Sequence, residues 1–342
     1  MPRPTLEPPV TLTSVTAATP RGLRSALVAA RPPLSAVAPW LILIVLFAVY
    51  ADLQPNVLAL DQLGAIAIGA LVLVLAAYGQ TIVVLTSGID LSVGGALSLA
   101  TALAATRMKS GTVLEWTLLI LVIGTVAGAV NGAVVTFGRM QPFIVTLATW
   151  SILDGVALLV LPTQGGTVPP SFSELIYGSV AGIPTAIILL LAVAIVWMWL
   201  KRTRLLRRIY AIGSDEEAAF LSGVSLGRTR IAAYAISGLT ASAAGLIYAM
   251  QTSSGDPHAG DPFILNSVAA VVIGGTALAG GRGGVSGTIA GALILTVIAD
   301  VVFAIGLPEF WTPLLQGVLM ILAVVVGALA LARQRRRDGE LR

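Results

Sequence analysis

Long apolar segments, separated by short polar loops, fill most of the 342-residue chain. A helix needs about 20 mostly apolar residues to cross a bilayer. Segments of about this length occur at residues 33–50, 57–78, 91–106, 113–137, 142–161, 183–200, 231–250, 263–279, 285–305 and 312–332. The pattern therefore predicts an all-α fold, a polytopic bundle of about ten transmembrane helices.

The region from residue 57 to residue 106 fits regular spans least well. It is apolar throughout, too long for one span and short for three. Gly88, Gly94 and Gly95 fall within it, and irregular backbone at membrane depth occurs in transporters where it lines a cavity. We therefore predict a broken or re-entrant helix near residues 79–95.

Composition agrees with a protein surrounded by lipid. The chain is 57% hydrophobic and 11% charged, whereas soluble domains carry about 45–50% apolar and about 25% charged residues. Its 36 glycines suit close helix packing in a bilayer. Cysteine is absent from the sequence, which excludes disulfides, and His258 is its single histidine, which excludes a multi-histidine metal site.

Basic residues cluster in the polar segment 201–230 and in residues 333–342. Positive residues stay on the cytoplasmic side of a membrane, so we expect both termini and segment 201–230 there, with six spans before the segment and four after it. The same count places three loops outside: residues 162–180, 251–262 and 306–311. Arg107 and Lys109 also fall outside, against the rule. The pattern indicates membrane orientation rather than nucleic-acid binding.

Two tails flank the predicted membrane domain, residues 34–332. Residues 1–33 are rich in Pro, Ser and Thr, which predicts a disordered cytoplasmic tail, and residues 333–342 form a basic cytoplasmic tail. A cleaved signal peptide is the alternative for the N-terminus. The apolar run after Trp40 is followed by Asp52 rather than a small-residue cleavage site, which disfavours cleavage.

Segment 201–230 contains the signals of a short helix. Ser214 followed by Glu217 fits a capping box, and Gly223 is placed to end the helix about two turns later. The segment is either an orienting basic loop with an incidental helix or an element that docks a soluble partner. Ala219 and Gly223 are small, which would allow a partner to approach closely. The candidate docking residues are Ser214, Asp215, Glu216, Glu217, Ala218, Ala219, Leu221 and Gly223.

Four blocks, in order along the chain, resemble the ribose permease family of ABC transporters. They are GQTIVVLTSGIDLSVGGALSLA (79–100), NGAVVTFGRMQPFIVTLAT (131–149), YAIGSDEEAAFLSGVSLGR (210–228) and AAVVIGGTALAGGRGGVSGTIAGALI (269–294). The resemblance covers about residues 57–330 and identifies segment 201–230 as similar to the coupling helix of importer permeases. It implies a homodimer or pseudo-dimer of permeases in the bacterial inner membrane. It also implies a cytoplasmic ATP-binding-cassette ATPase and an extracytoplasmic binding protein that delivers a monosaccharide.

The sequence lacks the phosphate-binding loop of an ATPase. Phosphate-binding loops of ATPases end in Gly-Lys-Ser/Thr. Lys109 and Lys201 are the chain's two lysines, and neither follows a glycine. ATP and Mg²⁺ are therefore expected on a partner chain, with no cofactor or metal in this one, and we predict a transport subunit rather than an enzyme.

Polar residues within the apolar segments are candidates for the translocation pathway. A charge at the bilayer centre costs at least about 2.5–3.5 kcal/mol, so the acids Asp61, Asp90, Asp154 and Asp300 must lie near a span end, pair, stay protonated or face water. Asp90 and Ser92 are predicted to cap the helix that follows the break. Asp154 has no evident partner in the sequence.

Neutral polar side chains suit a sugar, which is an uncharged polyol. The candidates are Gln80, Asn131, Gln141 and Asn266, and interhelical hydrogen bonds are the alternative role for each.

Two alternatives to sugar import remain. The same importer class carries branched-chain amino acids, nucleosides or furanone-type signals, and buried carboxylates leave an ion-coupled secondary transporter open. The identity of the solute and the choice between a homodimer and a heterodimer are not determined by the sequence.

Overall fold

The computed structural model describes residues 34–308, 310–322 and 325. The predicted tails at 1–33 and 333–342 lie outside these residues, and so do most residues after position 322. The described chain is mostly helical. Its helices are α1 (Leu34–Leu53), α2 (Leu60–Val84), α3 (Ser92–Arg107), α4 (Val113–Phe137), α5 (Pro142–Val160), α6 (Pro170–Tyr177), α7 (Thr185–Leu200), α8 (Arg204–Ser214), α9 (Glu216–Leu221), α10 (Leu226–Thr252), α11 (Asp261–Ile273), α12 (Val285–Ala304) and α13 (Trp311–Leu322). A two-residue hairpin, β1 (Ser179–Val180) with β2 (Ile183–Pro184), joins α6 to α7.

Five helices are long and apolar enough to cross a membrane: α2, α4, α5, α10 and α12. Helices α7 and α8 meet at a bend of 76° and would make a sixth span if they are counted as one. Each predicted span overlaps a helix, but α1, α3, α7, α11 and α13 are not among the helices that are long and apolar enough to cross alone. The polytopic helical membrane domain is therefore confirmed, while the number of about ten spans stays a prediction.

The predicted break lies between α2 and α3. Residues 85–91 are not helical, and Ser87 has a φ of +64°. Gly79, at the start of the predicted region, is inside α2. Gly94 and Gly95 are inside α3 and do not break it, because their role is to let other elements approach. A side chain on Gly95 would lie 2.8 Å from the carbonyl oxygen of Trp150 on α5.

Helix α10 packs against α2, α3 and α4, and α12 packs against α1, α2 and α11. The contact between α4 and α10 uses glycines spaced four residues apart: Gly124, Gly128 and Gly132 each face the backbone of α10, so that a side chain at any of them would overlap it. This small-residue spacing is the usual way that helices pack closely in a bilayer. Gly124, Gly128 and Gly132 therefore serve the close helix packing that the glycine content of the sequence suggested.

Helix α11 ends at Ile273, earlier than the predicted span to residue 279. The following loop, residues 274–284, is rich in glycine and has positive φ angles at Gly280 (+86°) and Gly281 (+68°). Side chains other than glycine rarely adopt this backbone. The loop therefore leaves the helical path and reaches the end of α8, where it takes part in the site described next.

Candidate functional site

A pair of helices, α8 and α9 with the turn that ends at Gly223, forms what we call the coupling region, residues 204–223. Helix α8 was not predicted. The side chain of Thr203 accepts a hydrogen bond from the backbone N–H of Leu206 at 3.3 Å and so caps its first turn. Leu206, Ile209 and Ile212 are buried, at a spacing that places them on one helical face. That spacing, behind a Thr cap, was the available signal, and the many arginines obscured it.

The predicted capping box of α9 is wrong. Ser214 is the last residue of α8, and its hydroxyl donates to the carbonyl of Tyr210 at 2.8 Å. Asp215 caps α9 instead, accepting from the backbone N–H of Ala218 at 2.9 Å. Both residue types are good caps, so the register was decided by how far α8 extends. Glu217 is exposed on the first turn.

Gly223 ends α9, as predicted. It has a φ of +80°, and its N–H donates to the carbonyl of Phe220 at 2.9 Å. The N–H of Val224 donates to the carbonyl of Ala219 at 3.0 Å. These two bonds and the left-handed residue form a Schellman motif, which satisfies the last carbonyls of a helix. A salt bridge of 2.6 Å between Arg230 and Glu216 joins α9 to the start of α10.

The orientation of α9 corrects one expectation about its partner surface. Ala219 is 4% exposed and faces the protein, so it does not offer the close-approach surface expected from its size. Phe220 is 65% and Leu221 is 78% exposed. The outward face of α9 therefore presents two large apolar side chains.

The coupling region touches the break between α2 and α3 directly. Gly213 of α8 packs so closely on the carbonyl of Leu85 and on Gly281 that a side chain there would overlap both. The N–H of Gly281 donates to the same carbonyl of Leu85 at 3.1 Å, and Ser87 Oγ donates to the carbonyl of Ala279 at 2.7 Å. The end of α8, the glycine-rich loop and the break thus meet at one point.

Tyr210 adds a side-chain link to this contact. Its hydroxyl donates to the carbonyl of Gly283 at 2.6 Å. Burial raises the pKa of the Tyr210 phenol above its ordinary value, so the hydroxyl keeps the proton that it donates. Helix α8 is therefore held to the loop by backbone packing and by a stable hydrogen bond.

A polar network extends from the break into the helices beyond it. Asp90 is fully buried, and its Oδ1 accepts from the backbone N–H of Ser92 at 3.0 Å and from the Ser92 hydroxyl at 2.6 Å. Asn131 of α4 donates to the Ser92 oxygen at 2.9 Å, and Thr149 of α5 donates to Asn131 Oδ1 at 2.6 Å. The carboxylate of Asp90 thus binds the first amide of α3 from two residues before it. The cap position is occupied by Leu91, which makes no side-chain cap bond, and Ser92 is the first helical residue, so neither predicted cap is at the cap position. Thr149 was not predicted.

The other predicted pathway residues are not part of this network. Gln80 is fully buried in α2, and its side-chain atoms make no hydrogen bond within the described part of the chain. Gln141 is exposed at the start of α5, and Asn266 is half-buried on α11. Three of the six candidates, Asp90, Ser92 and Asn131, therefore come together.

A second polar cluster lies at the other end of α10. One nitrogen or oxygen atom from each of Asp154, His258 and Asp261 lies within 4.8 Å of the others, a spacing that is also common among exposed acidic groups that bind no ion. Asp154 belongs to α5, and His258 precedes α11. The partner of Asp154 thus comes from a distant part of the chain, and no local sequence signal indicated it.

Comparisons with known proteins agree with the resemblance carried by the four sequence blocks. Residues 62–324 match a family model described as branched-chain amino acid transport system / permease component. The ribose import permease protein RbsC of Escherichia coli K12 is 38% identical over 293 residues, which cover 83% of this chain and 91% of that protein.

Two further relatives extend this comparison. RbsC of Bacillus subtilis 168 is 36% identical, over 84% of this chain and 91% of its own length. The galactose/methyl galactoside import permease protein MglC of Escherichia coli K12 is 31% identical, over 86% of this chain and 95% of its own length. No solved structure matches the chain. The chain therefore belongs to the ribose and monosaccharide permease family of ABC transporters.

Proposed function

We propose that this protein is the inner-membrane permease subunit of an ATP-driven importer and forms the passage for a monosaccharide. The observation that carries the proposal is the similarity to relatives named as ribose and galactose import permeases, over more than four fifths of the chain. The family model bears the name of branched-chain amino acid transport, but the individual relatives favour a sugar.

The coupling region suits docking of a cytoplasmic ATPase. Phe220 and Leu221 project from a short helix that is capped at both ends, so a partner would meet a rigid apolar ridge. Beside the ridge, an open groove of about 280 Å³ is lined by Arg204, Arg207 and Arg208, which would favour an acidic rim on the partner. ATP and Mg²⁺ would be bound by that partner.

The contact at Gly213 gives docking a route into the membrane domain. If the ATPase moves α9, the rigid α8 moves with it against the carbonyl of Leu85. We expect the break to pass this motion on to the network that joins Asp90 and Asn131, because Asp90 lies within it. Closure of the ATPase would in this way reach α3, α4 and α5, which carry Ser92, Asn131 and Thr149.

Reconstitution tests the proposal. The permease and its ATPase are reconstituted in proteoliposomes together with the binding protein. Uptake of D-ribose, D-galactose and leucine is then measured with either ATP or ADP on the side of the membrane that carries the ATPase. We expect ATP-dependent uptake of a sugar that the binding protein also binds in a ligand screen. Uptake of leucine alone would support the amino-acid alternative. Uptake that is equal with ATP and ADP, and that an ionophore abolishes by collapsing the ion gradient, would indicate a secondary transporter.

Cysteine labelling tests the orientation, with both termini and the coupling region proposed to be cytoplasmic. The chain lacks cysteine, so single replacements report cleanly. Gln164→Cys and Glu217→Cys are both at exposed positions. An impermeant maleimide added to intact cells should label the first and spare the second, and the reverse pattern would show that the orientation is inverted.

A further inference from the structure

Basic side chains gather where α7 ends and α8 begins. We call them the basic cluster, and all of its members are exposed: Lys201, Arg202, Arg204, Arg207 and Arg208. Within the described residues, none of them forms a salt bridge. Two of the acids that follow along the chain are engaged elsewhere, because Asp215 caps α9 and Glu216 pairs with Arg230. The cluster therefore carries positive charge that no acid of the described chain neutralises.

The exposed surface of α7 locates the basic cluster relative to lipid. Large apolar side chains are exposed along this helix as far as Met198 and Trp199, the latter at 67%. Lipid covers such a face in a membrane protein, and tryptophan is enriched at the lipid–water boundary. The exposed residues that follow are Lys201 and Arg202, and the Lys201 ammonium lies 5.5 Å from the centroid of the Trp197 ring. The cluster therefore begins at the level of the lipid headgroups.

A tight turn keeps α8 close to this boundary. The N–H groups of Lys201 and Thr203 donate to the carbonyls of Trp197 and Leu200, each at 2.9 Å. Helix α8 then leaves α7 at a bend of 76°. If α7 crosses the membrane steeply, α8 must run along the membrane surface. Its inward face is buried against the protein, so the arginines on its other side stay near the headgroups.

Three arginines of the cluster share one binding surface. Arg204, Arg207 and Arg208 line the open groove of about 280 Å³, together with the smaller apolar residues Ala211 and Val224. Arg204 and Arg208 are four residues apart and are therefore neighbours on the surface of α8. Arginine binds phosphate oxygens through paired hydrogen bonds. Basic clusters that directly follow a membrane helix attract anionic lipids, so the groove has the charge and the position to bind a lipid phosphate.

We propose that the basic cluster binds the phosphate of an anionic phospholipid, with Arg204 and Arg208 as its main contacts. An acidic rim of the ATPase is the other occupant that the groove suits. Lipid is favoured because the cluster begins at the lipid boundary, and because lipid surrounds α7 whether or not an ATPase is bound. Bound lipid would steady the bend from which the coupling region starts. The site would bind lipid whichever solute the permease carries, so it does not depend on the proposed import of sugar.

Lipid retention tests the proposal. The full-length permease, alone and in the assembled importer, is reconstituted in equal parts of phosphatidylcholine and phosphatidylglycerol. It is then extracted in mild detergent, and the lipid that co-purifies is measured by mass spectrometry. We expect phosphatidylglycerol to be enriched, and Arg204→Gln combined with Arg208→Gln to lower that enrichment about tenfold. Arg139→Gln combined with Arg228→Gln removes the same charge from exposed positions outside the cluster and should leave the enrichment unchanged.

The outcomes separate the lipid site from its alternatives. An equal loss in the two double variants would show diffuse attraction to surface charge and would overturn the site. Displacement of phosphatidylglycerol by the ATPase would assign the groove to that partner instead. Melting curves of the unmodified permease give a measurement that needs no variant. Phosphatidylglycerol should raise its melting temperature above that in phosphatidylcholine, whereas inorganic phosphate should not. The same melting temperature in both lipids, or a rise with inorganic phosphate alone, would contradict a lipid site.

Discussion

The contact between Gly213 and the break can be tested with one methyl group. In Gly213→Ala the new carbon would lie 2.5 Å from the Gly281 nitrogen and would overlap the Leu85 carbonyl. Ordinary contacts of this kind need about 3.5 Å, so α8 must move about 1 Å away from the Gly281 nitrogen and farther from the Leu85 carbonyl. Overpacking of this size costs about 1–3 kcal/mol, against which the better helix propensity of alanine returns only about 0.5–1 kcal/mol.

The expected consequence is a loss of coupling rather than of assembly. Because Phe220 and Leu221 are unaffected, the ATPase should still bind. Its motion would be passed less effectively from α8 to Leu85, because the two no longer pack closely. We expect the amount of solute imported per ATP hydrolysed to fall at least about fivefold, which corresponds to about 1 kcal/mol. Hydrolysis and uptake are measured together in proteoliposomes.

The matched control is Gly317→Ala on α13, where an added carbon meets no atom of the described residues within 4 Å. It should leave both rates as they are. If Gly213→Ala lowers uptake and hydrolysis in proportion, the variant has only lost active protein. If the solute-to-ATP ratio is unchanged in well-folded Gly213→Ala, force does not pass through this contact and the route described above is wrong.

Three further predictions follow from the site. Asp215→Ala should speed amide hydrogen exchange in α9 by about fivefold, because it removes the hydrogen bond that caps Ala218, worth about 1 kcal/mol. Glu217→Ala should leave the exchange unchanged, and equal effects of the two variants would support the predicted capping box of Ser214 and Glu217 instead. Phe220→Ser should reduce co-purification of the ATPase without lowering the melting temperature of the permease alone, and normal co-purification would show that this ridge does not dock. Asn131→Leu should lower thermal stability by about 2–3 kcal/mol, because it leaves buried polar partners unpaired, and an unchanged melting curve would contradict that role.

The sequence predicted the helices well because apolar length is a local property. It failed on α8, where arginines between Leu206 and Ile209 masked an amphipathic helix. It also misplaced the cap of α9, since Ser214 and Asp215 are both competent caps and the choice depends on α8 continuing to Ser214. At this end of α8, Gly213 packs on Leu85, a tertiary contact that no local pattern contains.

The candidate site shows the same division. Asp90 and Ser92 are two residues apart, so their bond is a local feature, although the sequence placed both as caps and Leu91 occupies the cap position. Asn131 could be chosen as a buried amide, but its partner Thr149 resembles any other threonine in an apolar helix. The pairing of Asp154 with His258 joins residues far apart in the chain. Only the close approach of α5 and α11 over α3 brings such residues together.

The broken helix explains why a coupling element should meet the membrane domain where it does. An intact helix satisfies its own carbonyls, so a push on its side changes no hydrogen bond. At the break, the Leu85 carbonyl takes its bond from Gly281, which belongs to the glycine-rich loop that Tyr210 holds to α8. Under the proposed function, displacement of α8 must therefore alter a bond between two separate elements, and α2 cannot remake that bond alone. If α8 moves as a rigid body, the hydrogen bond between Gly281 and Leu85 can be either formed or broken. A passage that opens alternately to the two sides of the membrane requires two such arrangements.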